Sequence, residues 1–239
     1  NYYKSDLPKT GEVASEDKHL AIIFGVGSIV TRSDDSPFSD EMVITPKEFN
    51  KHLKEAREDD KVKAIIIRMD SPGGSAIASA EIYHEIMKTK EVKPVYASMG
   101  DVAASGGYYI PVACDTIIAH PSTVTGSIGV ISLLANTSKM LDKIYLNVDT
   151  LGTNKNSHFM NPMLPFTEEH KEKFKNITKD IYFRFIEKVA KNRDKTFEET
   201  RALAKGRVWT GEAAKKHGLV DVLGNFEDAL KIAKRRIGV

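Results

Sequence analysis

The sequence has a single cysteine, Cys114, among its 239 residues, and it contains no apolar run long enough to cross a membrane. One cysteine excludes an intramolecular disulfide and a metal site built from cysteines. Its apolar neighbours predict a small buried side chain. An excess of either charge is also missing, because 35 Lys and Arg residues nearly balance 33 Asp and Glu residues. The overall charge therefore gives no reason to expect nucleic acid as a partner.

What the chain does contain is an alternation of apolar runs and amphipathic segments over its first two thirds. The apolar runs predict buried strands at 20–24, 62–68, 95–98 and 116–119. Between them we predict helices at 46–58, at 76–87 and from about Ala103, the first one capped by Thr45 with Pro46 and Glu48. This alternation predicts βαβ units, and hence an α/β fold with a parallel sheet.

The last third of the chain has a helical pattern instead. Thr167 is predicted to cap a long helix that reaches about Lys191. Shorter helices are predicted near 197–205, 210–217 and 225–236, with Gly218 and Gly224 ending helices. We therefore expect a polar N-terminal extension (1–18), an α/β core (19–166) with a loop at 31–40, and a helical C-terminal part of the same domain (167–239).

The start of the sequence, Asn1, is neither an initiator methionine nor the beginning of a signal peptide. We interpret the chain as a fragment or a mature form, an interpretation that leaves room for an N-terminal anchor or domain before it.

Ser105 lies among alanines and glycines, directly after the strand predicted at 95–98. Small neighbours allow a sharp turn and the close approach of another molecule. A nucleophile at a strand-to-helix turn needs both, although the pattern is not Gly-x-Ser-x-Gly. For the serine alone, a tight packing turn is the favoured explanation.

A second glycine turn supports the nucleophile interpretation. Gly73 and Gly74 follow one predicted strand, and Ser105 follows the next. Ends of neighbouring strands lie about 5 Å apart, so the N–H groups of Gly74 and Gly106 could form an oxyanion hole. A phosphate loop is disfavoured, because no Gly-Lys-Ser/Thr follows the glycines. Ser127, in a third run of small residues, is either a partner of a catalytic group or an ordinary turn serine.

Together these segments resemble the signal peptide peptidase A family, also called protease IV, and most closely the C-terminal half of its long form. The resemblance extends from about residue 18 to 235 and rests on these blocks: Asp70-Ser71-Pro72-Gly73-Gly74, Ser98-Met99-Gly100, Ala103-Ala104-Ser105-Gly106-Gly107-Tyr108-Tyr109, Pro121-Ser122-Thr123-Val124-Thr125-Gly126-Ser127-Ile128-Gly129, Gly206-Arg207-Val208-Trp209-Thr210-Gly211 and Gly218-Leu219-Val220-Asp221-Val222-Leu223-Gly224.

The resemblance implies a Clp-protease/crotonase-like α/β fold and a serine peptidase with a Ser–Lys dyad that degrades released signal peptides. It assigns Ser105 as nucleophile, Gly74 and Gly106 as the oxyanion hole, and Ser127 as the residue that positions the lysine. It further implies hydrophobic peptide substrates, a ring-shaped or dome-shaped homo-oligomer, and membrane association with an extracytoplasmic catalytic domain. No metal or organic cofactor is indicated.

The family's lysine is missing from its expected position, which falls on Ser157. A dyad needs an amine whose pKa is lowered by burial, and a serine hydroxyl cannot replace it. We favour the explanation that an N-terminal half, as in the long family form, supplies the lysine. Alternatively Lys155 serves as the base, or Ser157 is an introduced, inactivating substitution. Among the histidines only His158 adjoins this position, and no Asp stands out to orient it.

Two functions other than a peptidase remain open. A crotonase-type acyl-CoA enzyme would share the oxyanion glycines but would need no serine nucleophile. A catalytically silent family member that acts as an assembly scaffold would explain the absent lysine. The intact serine turn argues against both.

Overall fold

A mostly parallel β-sheet forms the centre of the computed structural model, which describes residues 18–33 and 42–238. Its strands are β1 (His19–Val26), β4 (Val62–Ser71), β5 (Val95–Ala104), β6 (Thr116–Ala119), β7 (Val124–Gly126), β8 (Val208–Thr210) and β9 (Val222–Leu223). Their order is β1-β4-β5-β6-β9, and β7 pairs with both β5 and β8. The β7–β8 pair is antiparallel. A separate short parallel pair joins β2 (Ser28–Ile29) and β3 (Val43–Ile44).

The helices begin close to where their caps predict them. They are α1 (Pro46–Glu58), α2 (Ala76–Lys90), α3 (Gly106–Tyr109), α4 (Ser138–Lys143), α5 (Glu168–Asn192), α6 (Phe197–Leu203), α7 (Gly211–Lys216) and α8 (Phe226–Ile237), with a 3₁₀ turn at Pro111–Ala113. The hydroxyl of Thr45 accepts a hydrogen bond from the Glu48 N–H, and that of Thr167 from the His170 N–H. Both predicted N-caps are therefore confirmed.

Both faces of the sheet are covered, as the continuous apolar run of β4 predicted. Side chains alternate along the strand: Ile65 and Ile67 belong to the large core cluster, whereas Ala64 and Ile66 face the smaller one. The large cluster includes apolar residues of α1, α2, α3 and α5. The smaller one is closed by α8. Cys114 is buried, as predicted, and burial raises the pKa of its thiol. The predicted α/β class with a parallel sheet is confirmed.

Two local predictions need correction. The helix predicted from Ala103 begins only at Gly106 and has 4 residues, because β5 continues to Ala104 and pairs there with β7. Gly224 ends no helix but follows the strand β9, which pairs with β6. Strands of two or three residues are too short to show a periodic pattern in the sequence. The strands with which they pair determine them instead.

The division into parts predicted from the sequence stays a prediction. The part 167–239 does contain the expected helices, but it also supplies β8 and β9 to the sheet. Residues 1–17 of the predicted extension, and most of the loop predicted at 31–40, lie outside the described residues.

Candidate active site

The candidate site lies near the point where the strand paired with one side of β5 changes from β6 to β7. The first half of this edge pairs with β6, from Tyr96 to Ser98, and the second half pairs with β7, from Val102 to Ala104. On the opposite edge, a single residue of β4, Asp70, lies across from the stretch 100–102. The carboxylate of Asp70 accepts a hydrogen bond of 3.0 Å from the Val102 N–H. The register between β4 and β5 is irregular here, and the Asp70 carboxylate gives the Val102 N–H a hydrogen-bond partner in place of a backbone carbonyl of β4.

Ser105 follows directly, in a backbone conformation that is unusual for a residue with a side chain. Its φ is 54° and its ψ is −120°. Its N–H donates to the Gly126 carbonyl at 3.0 Å, and its own carbonyl accepts from the N–H groups of Tyr108 and Tyr109, both at 2.9 Å. These bonds hold a conformation that costs of the order of 1–3 kcal/mol. Such a strained strand-to-helix turn is the kind that presents a nucleophilic serine in hydrolases.

The turn after β4 packs on the turn that carries Ser105. A Cβ atom at Gly73 would lie 2.7 Å from the Gly106 nitrogen and 2.8 Å from the Ser105 Cβ, so no larger residue fits there. The φ of Gly73 is 102°, which also favours glycine. Gly73 thus sets the close approach of the two turns. The close packing of these turns agrees with the neighbouring positions of β4 and β5 in the sheet.

The N–H of Gly74 has no hydrogen-bond partner among the described residues. On the other side of Gly74, Ile29 donates to the Gly73 carbonyl at 2.8 Å and accepts from the Ser75 N–H at 2.7 Å. Because Ile29 bonds to Gly73 and Ser75, as in a parallel ladder, the N–H of Gly74 between them points away from Ile29. The N–H of Gly106 lies in the first turn of α3 and has no partner within that helix. Two donors are therefore available on adjacent turns.

Ser127 lies beside Ser105 at the end of the neighbouring strand. Val102 pairs with Val124 and Ala104 with Gly126, so that Ser105 and Ser127 are the residues that follow the last pair of this ladder. Ser127 also has a positive φ, 48°, and its N–H donates to the Arg207 carbonyl at 2.7 Å. Ser127 thus directly follows Gly126, whose carbonyl accepts the hydrogen bond from the Ser105 N–H.

Lys155 lies in a different environment. Its side chain is 76% exposed, and its Nζ atom forms an ion pair of 2.6 Å with Glu169. Hydrogen bonds from Lys155 and Lys173 lower the pKa of Glu169 to about 2. Within the described residues, no hydrogen bond joins Lys155 to Ser105 or Ser127. An exposed, paired ammonium group is the opposite of the desolvated amine that a dyad needs, so this geometry gives Lys155 no support.

Ser157 and His158 follow in the same segment. Ser157 is exposed, and its hydroxyl accepts a hydrogen bond of 3.1 Å from the Asn154 N–H. His158 is half-buried and has no carboxylate partner among the residues that the structure describes. Over those same ranges, no group of three or more His, Cys, Asp or Glu side chains could hold a metal ion.

Sequence reasoning missed two contributors to the site. The role of Asp70 depends on the irregular register between β4 and β5, which no local pattern reveals; its place directly before the Ser-Pro-Gly-Gly turn was the available signal. The Gly126 carbonyl, which holds the Ser105 N–H, was overlooked because backbone groups leave no trace in a sequence.

Comparison with known proteins shows the family of the chain. The sequence profile of Peptidase family S49 matches residues 87–239. The chain belongs to peptidase family S49. It is 38% identical over 221 residues to "Serine protease SPPA, chloroplastic" from Arabidopsis thaliana, with 92% of this chain and 32% of that protein covered. It is also 38% identical over 231 residues to "Protease 4" from Salmonella typhi, with 96% and 36% covered.

The S49 chain thus spans about a third of the length of these two relatives. Among solved structures, a mutant of the membrane-bound stomatin-specific protease 1510-N superposes with a TM-score of 0.58 at 20% identity, covering 90% of this chain and 84% of that one. At this identity the similarity concerns the fold alone. The resemblance stated from the sequence, including its Clp-protease-like fold, is confirmed.

Proposed function

We propose that this chain is the serine-bearing part of an S49 endopeptidase that hydrolyses hydrophobic, extended peptides such as cleaved signal peptides. The observation that carries this proposal is Ser105, held at a positive φ against the Gly73–Gly74 turn and beside Ser127. No other serine in the described residues combines these features.

In the proposed reaction the Ser105 Oγ atom attacks the peptide carbonyl carbon, and a neutral lysine amine takes the hydroxyl proton. The N–H groups of Gly74 and Gly106 stabilise the negative oxygen of the tetrahedral intermediate. The C–N bond breaks as the ammonium group returns its proton to the leaving amine. Water then attacks the acyl-enzyme, with the same amine as base, and releases Ser105.

We infer that the lysine comes from outside this chain. The exposed ion pair of Lys155 with Glu169 argues against a base inside the segment 150–160. The greater length of the relatives leaves room for a further domain in the natural protein. Ser127 would hydrogen-bond the incoming amine, since its position at the end of β7 is adjacent to Ser105.

Assembly and location are proposed on the resemblance and on the names of the relatives. We propose a homo-oligomer and a membrane-associated, extracytoplasmic enzyme. None of the helices within the described residues is long and apolar enough to cross a membrane.

The test compares this chain alone with the full-length gene product, using an apolar fluorogenic peptide and a serine-reactive fluorophosphonate probe. We expect full-length protein to cleave the peptide and to label at Ser105, and Ser105→Ala to lower kcat/KM at least about 1,000-fold. The chain alone should be slower by about 100-fold or more, because it lacks the general base.

Lys155→Ala in the full-length protein distinguishes the sources of the lysine, with Lys175→Ala on α5 as the matched surface control. Both variants should keep full activity if the base lies elsewhere. Loss of activity in Lys155→Ala alone would overturn the external-lysine proposal. Absence of labelling at Ser105 together with acyl-CoA binding would overturn the peptidase proposal itself.

A further inference from the structure

A cleft lies at the end of the sheet opposite Ser105, where β5 and β6 begin. It has a volume of about 750 Å³ and is lined by the beginnings of β5 and β6 and by the C-terminal ends of α2 and α8. Tyr96, in this cleft, and Ser105 are nine residues apart along β5. At about 3.3 Å per residue, the two sites are roughly 30 Å apart. The cleft therefore takes no part in the proposed peptide hydrolysis.

The lining of the cleft is rich in cations. Lys90, Lys93, Arg235 and Arg236 contribute to it, against the two carboxylates of Glu91 and Asp115. Both lysines are already engaged. Lys90 donates to the Ala113 carbonyl and lies 3.7 Å from Asp115, whereas Lys93 donates to two backbone carbonyls at the end of α1.

Arg235 and Arg236 are the other two cations of the lining. Their guanidinium groups make no hydrogen bond or ion pair within the ranges 18–33 and 42–238.

The dipole of α8 does not account for this surplus of charge. The last turn of α8 carries Lys234, Arg235 and Arg236, and Lys18 donates to the Ile237 carbonyl at 2.9 Å. A helix C-terminus is equivalent to about half a negative charge, so it cannot neutralise four cations. An excess of positive charge is left beside a concave surface, and such surfaces attract anions.

The cleft also offers hydroxyl groups beside the arginines. The side chain of Tyr96 is packed beneath α8 with Ala229 and Ala233, and the residue is 5% exposed. Burial raises the pKa of Tyr96 and the charge of Arg236 partly opposes this, so the hydroxyl stays protonated and available as a donor. Among the described residues this hydroxyl has no hydrogen-bond partner. Thr116 adds a second hydroxyl at the start of β6.

We propose that this cleft binds the phosphate group of a small ligand through Arg235 and Arg236, with the hydroxyls of Tyr96 and Thr116 completing the contacts. The planar guanidinium group donates paired hydrogen bonds that fit phosphate oxygens. The volume is in the range of small-molecule sites. Two sources supply this chemistry, a soluble phosphorylated compound and the headgroup of an anionic phospholipid.

The test titrates this chain with inorganic pyrophosphate by calorimetry at low ionic strength. We expect saturable binding of one pyrophosphate per chain. The double variant Arg235→Gln/Arg236→Gln should weaken it at least about tenfold, because both guanidinium groups are lost. The matched control Lys231→Gln/Lys234→Gln removes the same charge from the same helix outside the cleft, and should weaken binding less than about threefold through screening alone.

Tyr96→Phe, which removes one hydroxyl from an otherwise unchanged ring, should weaken binding by a few-fold. Equal losses in the two double variants would overturn the proposal in favour of unspecific attraction by α8. Absence of saturable binding, or equal competition by acetate, would overturn it as well.

Vesicles then separate the two sources. Binding to vesicles of phosphatidylglycerol but not of phosphatidylcholine, displaced by pyrophosphate and lost in Arg235→Gln/Arg236→Gln, would assign a lipid headgroup. Pyrophosphate binding without vesicle binding would assign a soluble ligand. Since neither experiment involves Ser105, failure here leaves the peptidase proposal untouched.

Discussion

Ser105 adopts a positive φ that residues with a Cβ atom rarely tolerate, and the bonds around it hold it there. Glycine adopts this conformation without strain. We therefore predict that Ser105→Gly stabilises the chain by about 1 kcal/mol, which is the strain released less the greater freedom of glycine in the unfolded state. Thermal unfolding followed by circular dichroism should show a Tm about 2–4 °C higher.

Ser105→Ala is the matched control for this prediction. Alanine removes the hydroxyl but keeps the Cβ atom, so the strain stays and the Tm should change little. A lower Tm for Ser105→Gly than for Ser105→Ala would mean that the backbone at this turn is not strained.

The candidate site residues that the sequence predicts all lie in runs of small amino acids. Ser105, Gly74, Gly106 and Ser127 belong to three such runs, which follow the neighbouring strands β4, β5 and β7. Asp70 was not predicted, because its contact with the Val102 N–H exists only once β4 and β5 have paired out of register. The sequence leaves Lys155 open as an alternative base, whereas the structure pairs its ammonium group with Glu169.

At the scale of elements, one ion pair joins the end of α5 to the sheet. Arg193 donates to both carboxylate oxygens of Asp221 and to the Gly218 carbonyl. The same carboxylate accepts a hydrogen bond of 2.7 Å from the Ile117 N–H on β6. The Arg193 side chain is 9% exposed and that of Asp221 is 32% exposed. Removing the arginine would leave a partly buried carboxylate without its counter-charge.

We predict that Arg193→Ala lowers the free energy of unfolding by about 3 kcal/mol, at the low end of the range for broken buried pairs because Asp221 keeps some water contact. Urea denaturation provides the measurement. Arg184→Ala is the control, since Arg184 pairs with Asp180 on the exposed face of the same helix, and should lower it by about 0.5 kcal/mol or less. Equal effects of the two substitutions would contradict the role given to Arg193.

Helices and strands could be predicted where a capping residue or an apolar run marks them in the sequence. The caps Thr45 and Thr167 and the apolar run of β4 gave their boundaries to within a few residues. The strands β7, β8 and β9 have 3, 3 and 2 residues. Their pairing partners lie far away in the sequence, so tertiary contacts decide them. The end of β5 at Ala104 belongs to this group, because β7 extends the strand into the predicted helix.

At the scale of the whole molecule, the stretch 131–163 exposes many large apolar side chains. Ile131 and Leu151 are both 99% exposed, and the others that are exposed in this stretch are Leu133, Met140, Ile144, Tyr145, Leu146, Met160 and Met163. Large apolar side chains exposed in such number favour an interaction site. The proposed homo-oligomer would cover it, with a second copy of the chain as the partner.

We predict that Ile131→Asp/Leu151→Asp weakens self-association at least about tenfold, because two carboxylates would have to lose water in the contact. Sedimentation velocity over a range of concentrations measures this. The Tm at low concentration should stay unchanged, since neither side chain is buried within the chain. Val92→Asp, which places a charge at an exposed apolar position in the turn after α2, is the control and should leave association intact. If the double variant associates as tightly as the parent chain, the stretch 131–163 is not the contact between copies.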